Sequence, residues 1–149
     1  SSDVCSSDLI VGQGRTYLRV ADEAVDDVSA VDAATSLAAG RVLVSYGLLA
    51  DLQVDDRYGP GDVVPAVGDE VQCRLRVLGP SWAKAHTVRL YANGELLREQ
   101  QLAPQAPSPE PGVLWQDVWR IPTPRHDVHL VLVAQGLGVS GAYWKTARP

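Results

Sequence analysis

The chain has 149 residues, of which 46% are hydrophobic and 21% charged, and its formal net charge is −5. That is enough apolar material for one domain with a real core, while the acidic balance and the lack of a basic run exclude nucleic acid and an anionic membrane surface as expected partners. The longest apolar run, Val128 to Ala134 with His129 inside it, is too short to cross a bilayer as a helix.

The N-terminus reads differently from the rest. Methionine is absent throughout, position 1 included, so the expectation is a fragment or processed product of a longer polypeptide. Within residues 1–9, the stretch Asp3-Val4-Cys5-Ser6-Ser7-Asp8-Leu9 looks like the in-frame translation of a common short-read sequencing adapter. It has neither the basic n-region nor the apolar h-region of a targeting signal. It reads as an assembly artefact, set against a genuine disordered polar tail. Without it Cys73 is the lone cysteine, at an inward strand position, so core filling is expected rather than a disulfide.

Taken in order, Arg15 to Val20 alternates as a short strand. Gly12-Gln13-Gly14 before it could cradle an anion only if a helix opened directly after it, and none is expected there. The acids between Asp22 and Asp27 lead into Val28 to Gly40, alanine-rich and closed by glycine, which predicts a helix of about three turns. Acids at a helix N-terminus complement its dipole, a plainer reading than metal ligation. Val28, Val31 and Leu37 with the alanines form its expected apolar side. Arg41 to Ser45 and Leu48 to Val54 read as strands, and Val63-Val64 as a possible short one. Between them, Asp55, Asp56 and Asp62 resemble a calcium loop only loosely, because the Asp-x-Asp-x-Asp-Gly order is missing.

The strongest local signal lies between Glu70 and Glu99. Val71, Cys73, Leu75 and Val77 alternate with Gln72, Arg74 and Arg76, the period of a strand with one buried and one wet face. Thr87–Ala92 and Glu95–Glu99 flank Asn93-Gly94, the dipeptide that best tolerates the positive φ angles of a type I′ hairpin turn. A proline-rich connector (Ala103 to Gly112) precedes a strand at Val113–Ile121. Asp127 to Gln135 reads as a central strand covered on both sides, since its apolar run is nearly continuous. Seven or eight short strands with turn signals between them predict a sandwich.

No catalytic constellation of comparable strength exists. Gly136-Leu137-Gly138-Val139-Ser140-Gly141 satisfies a dinucleotide fingerprint in letters, but neither the helix nor the parallel partner strand it needs is expected. His126 and His129 are three apart on a predicted strand and so point to opposite faces. His86 with Ser81 lacks a nucleophile elbow. Trp115, Asp117 and Trp119 share one strand face and form the candidate ligand-binding set, a sugar-stacking platform if that face is open. The plainer reading packs the rings against the core or a neighbouring domain.

Five segments carry a family resemblance: Gly14-Arg15-Thr16-Tyr17, Ala39-Gly40-Arg41, Ser45-Tyr46-Gly47-Leu48-Leu49, Pro60-Gly61-Asp62 and Tyr91-Ala92-Asn93-Gly94-Glu95. In this order they resemble the C-terminal part of PHP-superfamily metallohydrolases of the carbaryl-hydrolase-like branch. There a "GRTYV"-like strand, an "AGRSFVTNGPLL"-like helix–strand unit, a "PGD" turn and a "YVNGE" hairpin follow the metal-binding domain. Tyr46 stands where that family favours asparagine or threonine, and Leu48 where it favours proline. The resemblance implies a parent enzyme whose divalent metal ions activate water for ester or phosphoester hydrolysis. The His-x-His and Ser-Asp-x-His ligand motifs belong upstream of Gly12 and have no counterpart here, so no catalytic, cofactor or metal residue is carried over.

The expectation is therefore a mainly-β, immunoglobulin-like antiparallel β-sandwich with one N-terminal strand and helix. Residues 1–9 are artefact or disorder, 10–40 a strand–helix remnant at the seam with a missing N-terminal catalytic domain, and 41–149 the sandwich. The leading function is a non-catalytic accessory module packed intramolecularly on that domain. A free-standing ligand- or carbohydrate-binding module using Trp115, Asp117 and Trp119 is the alternative, and a self-contained hydrolase built on His126 and His129 the third. Apolar faces deprived of partners predict marginal stability or self-association of the chain on its own.

Overall fold

The computed structural model describes residues 14–20, 29–65, 68–103 and 110–137. Its elements are β1 (Arg15–Leu18), α1 (Ala30–Ala38), β2 (Val42–Ser45), β3 (Leu49–Val54), β4 (Glu70–Leu78), β5 (Ala85–Ala92), β6 (Glu95–Gln101), β7 (Val113–Pro122) and β8 (Leu130–Gly136). The chain is mainly β, an immunoglobulin-like antiparallel sandwich preceded by the strands β1 and β2 and the helix between them.

Two three-stranded sheets form the sandwich, ordered β3-β4-β7 and β6-β5-β8, and β1 pairs with β2 in a separate ribbon. All pairings are antiparallel. Alternation along β4 does what its sequence dictates. Cys73, Leu75 and Val77 are fully buried and Val71 nearly so, while Gln72, Arg74 and Arg76 between them face outward. From the opposite sheet Val88 and Leu90 of β5 enter the same core, joined by Trp119 of β7, Val54 of β3 and Leu102. Burial of each such large side chain is worth on the order of 1.5–3 kcal/mol, so this double row is the main source of stability.

The Asn93-Gly94 turn forms as its letters require, with φ of 50° at Asn93 and 85° at Gly94. It is also tied down from outside. The Asn93 side chain accepts from His129 N at 2.8 Å, and its own backbone N–H donates to His129 O at 3.0 Å. A register shift between Leu90 and Tyr91 leaves Leu97 as the extra residue on β6, a bulge that increases local twist.

Two expectations are corrected. Residues 62–65 form no strand, and Val63 is 90% exposed. The run at 128–134 is not a central strand, since β5 occupies the middle of that sheet and β8 lies at its side. Burial along β8 alternates: Leu130, Leu132 and Ala134 pack on the core, whereas Val131 and Val133 are over a third exposed. An apolar run leaves both faces eligible for burial; here the pleat turns only one of them inward.

Candidate functional site

The pairing of β7 with β4 decides what Trp115, Asp117 and Trp119 do. Trp119 lies opposite Cys73, Asp117 opposite Leu75 and Trp115 opposite Val77, so all three stand on the inner face of the sandwich. Trp119 is 1% exposed and belongs to the core, and Trp115 packs against that core edge-on to it, with ring centroids 6.3 Å apart. Asp117 is half-buried. Its carboxylate accepts the Trp119 indole N–H at 2.9 Å and the Val118 backbone N–H at 2.8 Å. The second bond serves the sheet, because among the described residues β7 is an edge strand whose outer N–H groups have no ladder partner. From β6, across the sandwich, the Arg98 guanidinium lies 4.4 Å over the Trp119 ring. One face of that ring is thus taken by a cation of the chain itself. The two tryptophans and the carboxylate are brought together, but not as a flat platform open to solvent.

The other candidates separate. His126 and His129 are both exposed and precede β8 rather than lying on it. His86, also exposed, sits near the start of β5. The loop aspartates each hold a part of the fold. Asp55 accepts Gln72 N at 3.1 Å, and Asp56 pairs with Arg74 at 2.9 Å. Among the described residues no three His, Cys, Asp or Glu side chains come together as a metal-ligand group. Cys73 is shielded at the sheet centre, and burial pushes its thiol up to about 11. The acids at 22–27, the later part of the glycine-rich run at 136–141, the prolines at 104–109 and residues 1–9 lie outside the described residues.

The N-terminal unit leaves several large apolar side chains uncovered. Ser29 caps α1, accepting Asp32 N at 3.2 Å, and the chain turns out of the helix at Gly40. The face turned inward carries small residues. Ser36 is 4% exposed and donates its hydroxyl to Arg19 O at 2.6 Å, with Ala33 half-buried beside it. The larger apolar side chains are left uncovered: Val31 is 74% exposed and Leu37 56%. Tyr17 on β1, Val44 on β2 and Tyr46 after it are exposed as well. Among the described residues, none of 14–20 or 29–45 belongs to the sandwich core.

One carboxylate is central to the contact between this unit and the sandwich. Asp62 takes the Arg19 guanidinium at 2.7 Å and the Gly59 backbone N–H at 3.0 Å, with Arg41 Nε at 4.0 Å. The Arg19 bond, then the Gly59 bond, hold the Asp62 carboxyl below the usual aspartate value. Sequence reading missed this role, and the signal available for it was the Pro-Gly-Asp turn itself, a tight turn closed by an acid.

Comparison with protein-family models, with curated proteins and with solved structures returns no match.

Proposed function

We propose that this chain is a non-catalytic C-terminal β-sandwich accessory module of a PHP-type metal-dependent hydrolase. In this reading it packs on the catalytic domain through its strand–helix unit. The observation that carries the reading is the orientation of α1, which spends its small face on its own chain and presents Val31 and Leu37 outward. Large apolar groups left uncovered on a short helix, with Tyr17, Val44 and Tyr46 exposed on the adjoining ribbon, are what a contact surface offers. The motif order of the resemblance adds to this. Its Pro60-Gly61-Asp62 turn and its Ala39-Gly40-Arg41 segment are the parts that hold the unit in place.

Ester or phosphoester hydrolysis belongs, on this proposal, to the other domain, whose histidines and acids would hold the divalent ions that activate water. The residues described here offer no such set, and no step is assigned to them. The alternative, a free-standing carbohydrate-binding module, is left with Trp115 and Asp117 at the margin of the core, because Trp119 is committed to packing.

Reading the source gene upstream of the codon for Leu9 tests the proposal. A continuous frame containing His-x-His and Ser-Asp-x-His segments is the expected result. A start codon or secretion leader directly before Ile10 overturns it and leaves the free-standing module.

A further inference from the structure

The attachment of the strand–helix unit is unusual in kind. The sandwich is held by apolar packing, yet no described side chain of residues 14–20 or 29–45 enters its core. The contact is made instead by a turn of backbone and one acid. Gly61, at φ of 82°, lies so close to the end of α1 that an added Cβ would fall 2.7 Å from Ala39 O and Arg41 N. Backbone atoms cannot step aside as a side-chain tip can, and a positive φ is already strained for any residue with a Cβ. Beside it Asp62 grips Arg19 at 2.7 Å, reaches Arg41 at 4.0 Å, and accepts Gly59 N–H at 3.0 Å. Arg19 and Arg41 are themselves tied together, Arg19 N donating to Arg41 O at 3.0 Å. Asp62 therefore reaches both strands of the ribbon at one end, where β1 ends and β2 begins. At the far end of the ribbon β2 runs on through Tyr46-Gly47 into β3, and the two strands lie in contact.

We propose that the Gly59–Asp62 turn is a catch, which fixes the pose of the β1–α1–β2 unit on the sandwich and can release that unit while the sandwich stays folded. A polar joint outside a packed core opens at much lower free energy than the core itself. The proposal concerns this chain alone and stands whether or not α1 meets a hydrolase domain. Its consequence is that the direction in which Val31 and Leu37 face is set by the turn, not by burial.

The test is amide hydrogen exchange on the 149-residue chain and its variants Asp62→Asn and Gly61→Ala. Asp62→Asn keeps the shape and removes the charge; Gly61→Ala removes the close backbone approach. The expected result is exchange about tenfold faster or more in Arg15–Leu18, Ala30–Ala38 and Val42–Ser45, the scale of one lost charge-assisted hydrogen bond. In Val71–Val77 and Val88–Leu90 it stays within about twofold of the parent. Near-ultraviolet circular dichroism of the buried Trp119 reports separately that the sandwich is intact. Unchanged exchange in both variants overturns the proposal, because the turn then holds nothing. Acceleration spread equally over unit and sandwich, or loss of the Trp119 signal in Asp62→Asn, also overturns it, because the two parts then open as one body.

Discussion

Replacing Trp119 by alanine separates a core residue from a ligand-stacking one. Trp119 is 1% exposed, meets Trp115 edge-on at 6.3 Å, donates its indole N–H to Asp117 at 2.9 Å and lies under Arg98 at 4.4 Å. Truncating a buried tryptophan costs about 3–5 kcal/mol through lost transfer energy and the cavity left behind. Asp117 also loses one of its two donors while staying half-buried, which places the expected cost in the upper part of that range. For a chain of this size each kcal/mol moves Tm by about 2–4 °C, so the melt should fall by roughly 8–20 °C. Far-ultraviolet circular dichroism follows the melt without depending on the deleted fluorophore. Arg98→Ala alone should cost about 0.5–1 kcal/mol, and much less once Trp119 is gone, because the cation then has no ring beneath it. A Trp119→Ala variant melting within about 2 °C of the parent would refute the assignment of this ring to the core.

Polar substitution of the α1 face should have the opposite character. The pair Val31→Ser and Leu37→Ser should shift stability by no more than about 0.5 kcal/mol each, since both side chains are exposed, and should reduce any self-association seen by light scattering. Gly94→Val should destabilise by about 1–2 kcal/mol in chemical denaturation, because φ of 85° excludes a branched side chain. The Cys73 thiol should resist a disulfide-exchange reagent at pH 8 until the protein is unfolded. Its raised value of about 11 means that the folded state holds the proton longer than the unfolded chain. Stability should therefore be complete below pH 9 and decline as pH rises toward 11. Asp62 works in the other sense: its lowered value supplies stability above the ordinary value of 3.8, lost as pH falls below it. The exchange rate of Ala30–Ala38 should rise in that acid range ahead of the sandwich.

What the letters revealed and what they hid follows from the range of each interaction. The β4 alternation and the Asn93-Gly94 turn are local devices, readable because pleat and positive φ act within a few residues. The end of α1 was legible for the same reason, Gly40 being an end signal in its own right; its start was read from Val28, whereas Ser29 is the cap and the helix begins at Ala30. The direction of α1 was not. An apolar stripe says that one face is fit for burial, and only the surroundings say whether anything in this chain covers it. Trp115, Asp117 and Trp119 were correctly grouped on one face, yet whether that face looked inward depended on pairing with β4, a partner some 40 residues away in the chain. The role of Asp62 was hidden in the same way, since Arg19 lies 43 residues from it. The position of β8 beside β5 rather than between two strands is a matter of topology that an apolar run cannot encode.

The central claim is that Val31 and Leu37 face a neighbouring domain. Hydrogen exchange of α1 compared between the 149-residue chain and a longer protein in which the proposed N-terminal domain precedes it tests it most directly. The account predicts that Ala30–Ala38 becomes markedly more protected in the longer protein, while Val71–Val77 is unchanged. Equal exchange of α1 in both would contradict the account, leaving the helix face a solvent surface and the chain a module without a seam.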